Sequence, residues 1–109
     1  MNAQPALAVL AVQLLPDSHS CSVAGNTMAL TALEYRTLAL LMAQPGELVS
    51  RHEIETTLYG ATPPNSNVLQ VIVSRLRSKL AAAGAPGVLH TQRSCGYAFI
   101  GEVALEAAA

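Results

Sequence analysis

Two helix-start signals, Thr31-Ala32-Leu33-Glu34 and Ser50-Arg51-His52-Glu53, constrain the fold of this chain most. In each, the hydroxyl can accept a hydrogen bond from the backbone N–H of the glutamate, and the glutamate carboxylate can reach back to the first amide. Pro45-Gly46 ends the first helix and Gly60 ends the second, because proline and glycine disfavour continuation of a helix. The sequence therefore predicts helices over about residues 31–44 and 51–59.

A third helix is predicted from the spacing of apolar residues after Val68. These residues form one stripe at helical spacing, which is typical of a face packed on a core: Leu69, Val73, Leu76 and Leu80. The other faces are polar or basic: Gln70, Ser74, Arg75, Arg77, Ser78 and Lys79. Pro63-Pro64 excludes a helix in the preceding loop, and Gly84 ends the pattern. We expect this helix over about residues 66–83.

Strands are predicted at both ends of the chain. Three short runs precede the first helix and are separated by turn-forming residues: Leu7–Leu14, Ser20–Ala24 and Thr27–Leu30. After the third helix, Val88–Gln92 and Tyr97–Ile100 flank Arg93-Ser94-Cys95-Gly96, a pattern typical of a β-hairpin. This order predicts an α+β fold: a winged helix-turn-helix with an N-terminal antiparallel β-sheet, three helices and a C-terminal β-hairpin wing.

The chain length of 109 residues fits a single domain. Within it we assign residues 1–30 to the N-terminal strands and residues 31–101 to the winged-helix core, with the wing over about 88–100. Residues 102–109 are assigned to a C-terminal tail.

Composition excludes several classes of protein. With 51% hydrophobic and 12% charged residues, the chain can bury a core and is unlike a disordered protein. The longest apolar run, Pro5–Leu15, is shorter than the roughly 18 residues of a membrane span and is interpreted as a buried strand. Its three histidines are scattered without metal-ligand spacing, so we expect no metal, no cofactor and no enzymatic activity.

The two cysteines show no redox or metal spacing and favour a cytoplasmic protein with reduced thiols. Cys21 is expected to be a small buried apolar side chain. Cys95 lies beside Arg93, which could lower its pKa, but the sequence offers no partner base for a nucleophilic role.

Charge is distributed unevenly along the chain. The net charge of −1 argues against DNA binding if only the total is considered. Four of the six basic residues nevertheless lie between Glu55 and Glu102, where no acidic residue occurs: Arg75, Arg77, Lys79 and Arg93. Such asymmetry favours an anionic partner, although a charged helix face can also be merely solvated.

The third helix meets the two requirements of a helix that reads the major groove, an apolar anchoring face and an exposed donor face. Arg75 is the better candidate for a base edge, since an arginine fork matches guanine, whereas Arg77 and Lys79 suit phosphates. Arg93 at the hairpin tip suits the minor groove. About four phosphate contacts would give a log–log salt slope of about −3.6.

Four groups of residues carry a resemblance to a known family. They are Leu30-Thr31 with Glu34-Tyr35 and Leu38; Val49-Ser50-Arg51 with Ile54 and Tyr59-Gly60; Val73–Leu80; and Arg93-Ser94-Cys95-Gly96-Tyr97. Together they resemble the effector domain of OmpR/PhoB-family response regulators over about Leu30–Ile100. The N-terminal strands fit the leading four-stranded sheet of that family.

The resemblance implies a winged helix that binds double-stranded DNA as a homodimer on directly repeated half-sites, and a loop over residues 59–67 that contacts RNA polymerase. Carried over by position and combined with the basic and polar residues above, the predicted DNA-binding set is Arg51, Asn67, Val68, Val71, Ile72, Ser74, Arg75, Arg77, Ser78, Lys79, Thr91, Arg93 and Tyr97.

The sequence departs from the family pattern on its reading face. Val68 replaces a hydroxyl residue, Gln70 an acidic residue, Ile72 a polar residue and Ser94 the first glycine of the wing. The apolar face is consistent with contacts to thymine methyl groups, with weak affinity, or with a protein partner. The alternative function is therefore a winged-helix protein–protein interaction module.

Residues 1–30 are too few for a receiver domain. The chain is therefore interpreted as either an excised effector domain or a regulator without a receiver.

Overall fold

A computed structural model describes residues 11–60, 68–92, 96–100 and 102–103 of the chain. The helices are α1 (Ala32–Met42), α2 (Arg51–Tyr59) and α3 (Val68–Ala82). The strands are β1 (Ala11–Leu15), β2 (Ser20–Val23), β3 (Asn26–Ala29), β4 (Val49–Ser50), β5 (Leu89–Gln92), β6 (Gly96–Phe99) and β7 (Glu102–Val103). The α+β class and the order of elements predicted from the sequence are confirmed. No helix in these ranges is both long and apolar enough to cross a membrane.

The capping residues start α1 and α2 as the sequence predicts. Thr31 Oγ1 accepts from the Glu34 amide at 3.1 Å, and Glu34 Oε1 accepts from the Thr31 amide at 2.9 Å, so this box is complete. Ser50 Oγ accepts from the Glu53 amide at 3.0 Å. The Ser50 amide does not donate to the Glu53 carboxylate, so this second box is only half formed.

The N-terminal sheet has the strand order β3-β2-β1-β7. Strands β1, β2 and β3 are antiparallel neighbours, whereas β7 pairs with β1 in parallel. The fourth strand thus comes from the segment that the sequence assigned to a tail, and it covers an edge of β1 that would otherwise offer unpaired backbone groups. Residues 7–10 of the first predicted strand and residues 104–109 of the predicted tail lie outside the described residues.

The core lies between α3, α1 and the two sheets. The stripe predicted on α3 is confirmed: Leu69, Val73, Leu76 and Leu80 are all buried. They share one cluster with Leu38 of α1 and Phe99 of β6. Cys21 is also buried there, as expected, and burial raises the pKa of its thiol to about 11 even though the nearby Lys79 lowers it. The anchored face of α3 leaves its opposite face toward solvent.

The wing is part of a second sheet, with the strand order β4-β6-β5. Strands β5 and β6 form the predicted antiparallel hairpin, in which Leu89 lies opposite Phe99 and Gln92 opposite Gly96. The tip, residues 93–95, lies outside the described residues. The two-residue strand β4 connects the end of β6 nearest the hairpin tip to the N-terminus of α2.

Candidate nucleic-acid interface

The exposed face of α3 carries a mixed set of side chains. Val71 is 46% exposed. Ser74, Arg75 and Ser78 are also exposed. Because residues three and four apart are neighbours on a helix surface, these four form one continuous patch. This reading face, defined as Val71, Ser74, Arg75 and Ser78, offers hydroxyl and guanidinium donors beside an apolar group.

Arg75 differs from the other basic residues of the described ranges. Arg36 donates to the Thr57 carbonyl at 3.0 Å, and Arg51 lies 3.1 Å from Glu55. Arg77 and Lys79 are also held by contacts within the chain. Arg75 is the one lysine or arginine of the described ranges that makes neither a hydrogen bond nor an ion pair to another described residue. Its guanidinium is therefore available to an external acceptor.

Lys79 is held in an ion pair instead of facing an external ligand. Its Nζ lies 2.6 Å from Oε1 of Glu34, a carboxylate that is only 2% exposed, and it also donates to the Ala29 carbonyl at 3.1 Å. Burial alone would raise the pKa of Glu34, but the bonds from Lys79 and the Thr31 amide, together with the charge of Arg75, lower it. Since removing the ammonium would leave a buried charge unpaired, Lys79 is excluded from the candidate interface.

Arg77 connects α3 to the wing. Its Nε donates to the Leu89 carbonyl at 3.2 Å, and its Nη2 donates to the Thr91 hydroxyl. Both side chains lie at the surface, but they are oriented toward each other. We infer that Arg77 and Thr91 fix the angle between the reading face and the hairpin, a role that the sequence did not indicate.

The remaining predicted site residues divide into three groups. Arg51 is exposed at the first position of α2, and Val68 is half-buried at the start of α3 as described. Ile72 and Tyr97 are each only 7% exposed and pack in the core, so these two are withdrawn from the candidate interface. Asn67 and Arg93 lie outside the described residues, as does most of the predicted 59–67 loop.

A cleft that sequence reasoning missed lies between the start of α1 and the first turns of α3. It has a volume of about 430 Å³, and its walls include Ala32, Leu33, Val68, Val71, Ile72 and Arg75. The only sequence signal for it was the apolar pair Val68 and Ile72 on a helix face expected to be polar. The cleft opens beside the reading face.

Taken together, the anchored third helix, the helix pair before it and the strand-paired hairpin after it define a winged helix-turn-helix domain. Residues 25–99 match the family described as "Transcriptional regulatory protein, C terminal". The chain belongs to this family, the OmpR/PhoB type of effector domain. The resemblance inferred from the motifs is confirmed, and so is the expectation that the chain is not an enzyme, because the family consists of transcription factors.

Similar proteins agree with this assignment. The response regulator MprA of Mycobacterium sp. (strain KMS) is 34% identical over 94 residues, which cover 85% of this chain and 41% of MprA. The chain thus spans less than half the length of that relative. The DNA-binding domain of CpxR from E. coli superimposes with a TM-score of 0.69 and 28% identity, covering 83% of this chain and 90% of that domain. The AdeR DNA-binding domain, solved with an intercistronic region, shares the fold with a TM-score of 0.71, 24% identity and coverage of 83% and 94%.

Proposed function

We propose that this chain binds duplex DNA as the effector domain of a cytoplasmic transcriptional regulator. In this proposal α3 lies in the major groove and the β5–β6 hairpin reaches the minor groove. Two copies bind directly repeated half-sites, and the loop over residues 59–67 contacts RNA polymerase. Family membership and the DNA-bound relative support the DNA ligand, whereas the groove assignments rest on the geometry of α3 and the wing.

The two-sided character of α3 is the observation that carries the proposal. Leu69, Val73 and Leu76 fix one side in the core, so the other side can enter a groove without moving relative to the domain. Arg75 projects from that side with no partner among the described residues, as bidentate reading of guanine O6 and N7 requires. Val71, one turn earlier, is placed to contact a thymine methyl group.

The phosphate contacts are assigned to residues around this face. Arg51 pairs with Glu55 at the surface, and such exposed pairs contribute little, so its guanidinium can exchange to a phosphate. The N-terminus of α2, where Arg51 lies, also has a positive field that favours a bound phosphate. Ser74 and Ser78 can donate hydroxyl hydrogens, and Arg93 and Asn67 remain proposed contacts from the sequence alone.

The salt dependence of binding tests the proposal. With Lys79 held by Glu34 and Arg77 held by Leu89 and Thr91, two cationic phosphate contacts remain per domain, from Arg51 and Arg93. The slope of log Kd against log salt concentration should therefore have a magnitude of about 1.8 instead of 3.6. Fluorescence anisotropy with a labelled random duplex pool would measure it. Absence of binding at low salt by a folded domain would contradict the proposal and favour the protein-interaction alternative.

Substitution of Arg75 separates base reading from charge. On duplexes selected from the pool, Arg75→Ala should weaken binding about 10- to 100-fold, because a good bidentate pair contributes about 1–3 kcal/mol of discrimination. Arg75→Lys keeps the charge but loses the fork, so it should retain binding to the random pool and lose the preference for selected duplexes. Equal preference in wild type and Arg75→Lys would contradict a base-reading role. Circular dichroism would verify that both variants are folded.

A further inference from the structure

The cleft between α1 and α3 combines an apolar lining with an open mouth. Leu33 and Val68 are half-buried, Ile72 forms part of the floor, and Val71 remains 46% exposed at the rim. Its volume of about 430 Å³ lies within the range of pockets that hold small molecules, roughly 300–1,000 Å³. The cleft thus presents a concave apolar surface directly beside the polar face of α3.

The charge at the cleft restricts which molecule fits. Two charged side chains line it, Glu34 and Arg75. The carboxylate of Glu34 is 2% exposed and is neutralised by Lys79 at 2.6 Å, so it presents no free negative charge to an incoming group. Arg75 is exposed and has no ion-pair partner among the described residues. An entering ligand therefore meets an apolar surface with one uncompensated positive charge at its edge.

We propose that this cleft binds a small apolar anion, such as an aromatic carboxylate or sulfonate. The ring system lies against Leu33, Val68 and Val71, and the anionic group accepts hydrogen bonds from the Arg75 guanidinium. A planar anion suits this site because the guanidinium fork matches two oxygen atoms of one group. Apolar contact supplies most of the affinity, and the arginine selects for negative charge.

A ligand in the cleft is expected to weaken DNA binding, and this expectation rests on the proposed function. Val71 and Arg75 belong both to the cleft and to the reading face, so one molecule cannot use them while the other does. By linkage, a ligand that binds only the DNA-free domain weakens DNA binding as its concentration rises. An anionic metabolite would thus control this domain directly.

The test uses 8-anilinonaphthalene-1-sulfonate as the probe, with N-phenyl-1-naphthylamine as its uncharged analogue. Fluorescence titration of the folded chain should show saturable binding of the sulfonate, about tenfold weaker in Arg75→Gln because a charged hydrogen bond is lost. The uncharged analogue should bind wild type and Arg75→Gln equally. Amide NMR shifts on adding the sulfonate should be concentrated at Leu33, Val68 and Val71.

A matched control comes from Leu48, which is 48% exposed and does not line the cleft. Leu48→Thr should leave sulfonate binding unchanged, whereas Val71→Asp should abolish it through repulsion and lost apolar contact. Equal losses in Leu48→Thr and Val71→Asp, or no effect of Arg75→Gln, would overturn the site. Displacement of the sulfonate by duplex DNA would support competition between the two ligands, whereas DNA binding without displacement would contradict it. Sulfonate binding in the absence of any DNA binding would contradict only the proposed function.

Discussion

Lys79→Met is expected to lower the free energy of unfolding by about 3 kcal/mol, the lower end of the range for breaking a buried ion pair, because the lysine is partly exposed. The loss arises from Glu34, whose carboxylate is 2% exposed and would keep only its bond from the Thr31 amide. The same change releases the Ala29 carbonyl of β3, so α3, α1 and the N-terminal sheet lose a common anchor. Urea unfolding followed by circular dichroism would measure the effect.

The pH dependence of unfolding distinguishes the ion pair from simple packing. The folded-state pKa of Glu34 is lowered from its ordinary value of 4.5, so its contribution is fully present above that pH and is lost as the pH falls through the lower folded-state value. In Lys79→Met, burial without the cation raises the folded-state pKa, and the variant gains relative stability on acidification. The difference between wild type and variant should therefore be largest at neutral pH and should narrow as the pH falls from the raised pKa of Glu34 in the variant to its lowered pKa in wild type.

Two further variants control this experiment. Arg51→Ala removes the surface pair with Glu55 and should cost no more than about 0.5 kcal/mol, because solvent screens such pairs. Combining Glu34→Gln with Lys79→Met replaces the orphaned carboxylate by a neutral amide, which should remove the pH-dependent part of the loss. A pH-independent difference in Lys79→Met alone would show that lost packing, not charge, is the cause.

Local signals in the sequence determined most of the fold. The capping box at Thr31, the glycine after α2 and the apolar stripe of α3 act between residues close in the chain, so each could be recognised from a few neighbouring letters. Strands β4 and β7 could not be recognised from neighbouring residues. Each has two residues and exists only because a distant partner lies beside it, Gly96 for Ser50 and Ala11 for Glu102.

The candidate site was predictable as a helix face but not residue by residue. The helical periodicity predicts that Arg75, Arg77 and Lys79 all lie on α3. Their spacing does not indicate which of these cations is held by contacts within the protein. Lys79 forms an ion pair with Glu34, which lies 45 positions earlier in the chain, and Arg77 donates a hydrogen bond to Thr91 of the wing. These contacts depend on tertiary packing. The cleft beside Val71 likewise requires α1 and α3 to be placed against each other.

Gly96→Ala is expected to destabilise the domain by about 2–3 kcal/mol, near the upper end for overpacking a well-filled site. A Cβ at this position would overlap the carbonyl oxygen of Val49 and lie 2.9 Å from the Cα of Ser50. Both neighbours are backbone atoms, so no side-chain rotation can relieve the clash. Strand β4 would have to move away from β6, and since Ser50 also caps α2, the strain reaches that helix as well.

Gly25→Ala provides the matched control, because it tests a glycine that is required for a different reason. Gly25 has a φ of +88° in the turn between β2 and β3, and an added Cβ would meet no heavy atom within 4 Å. Its replacement should cost only about 1 kcal/mol, the penalty of a left-handed backbone for an alanine. Chemical unfolding of both variants compares the two costs directly. A smaller loss in Gly96→Ala than in Gly25→Ala would mean that β4 yields easily, and that the wing does not depend on this pairing for its position.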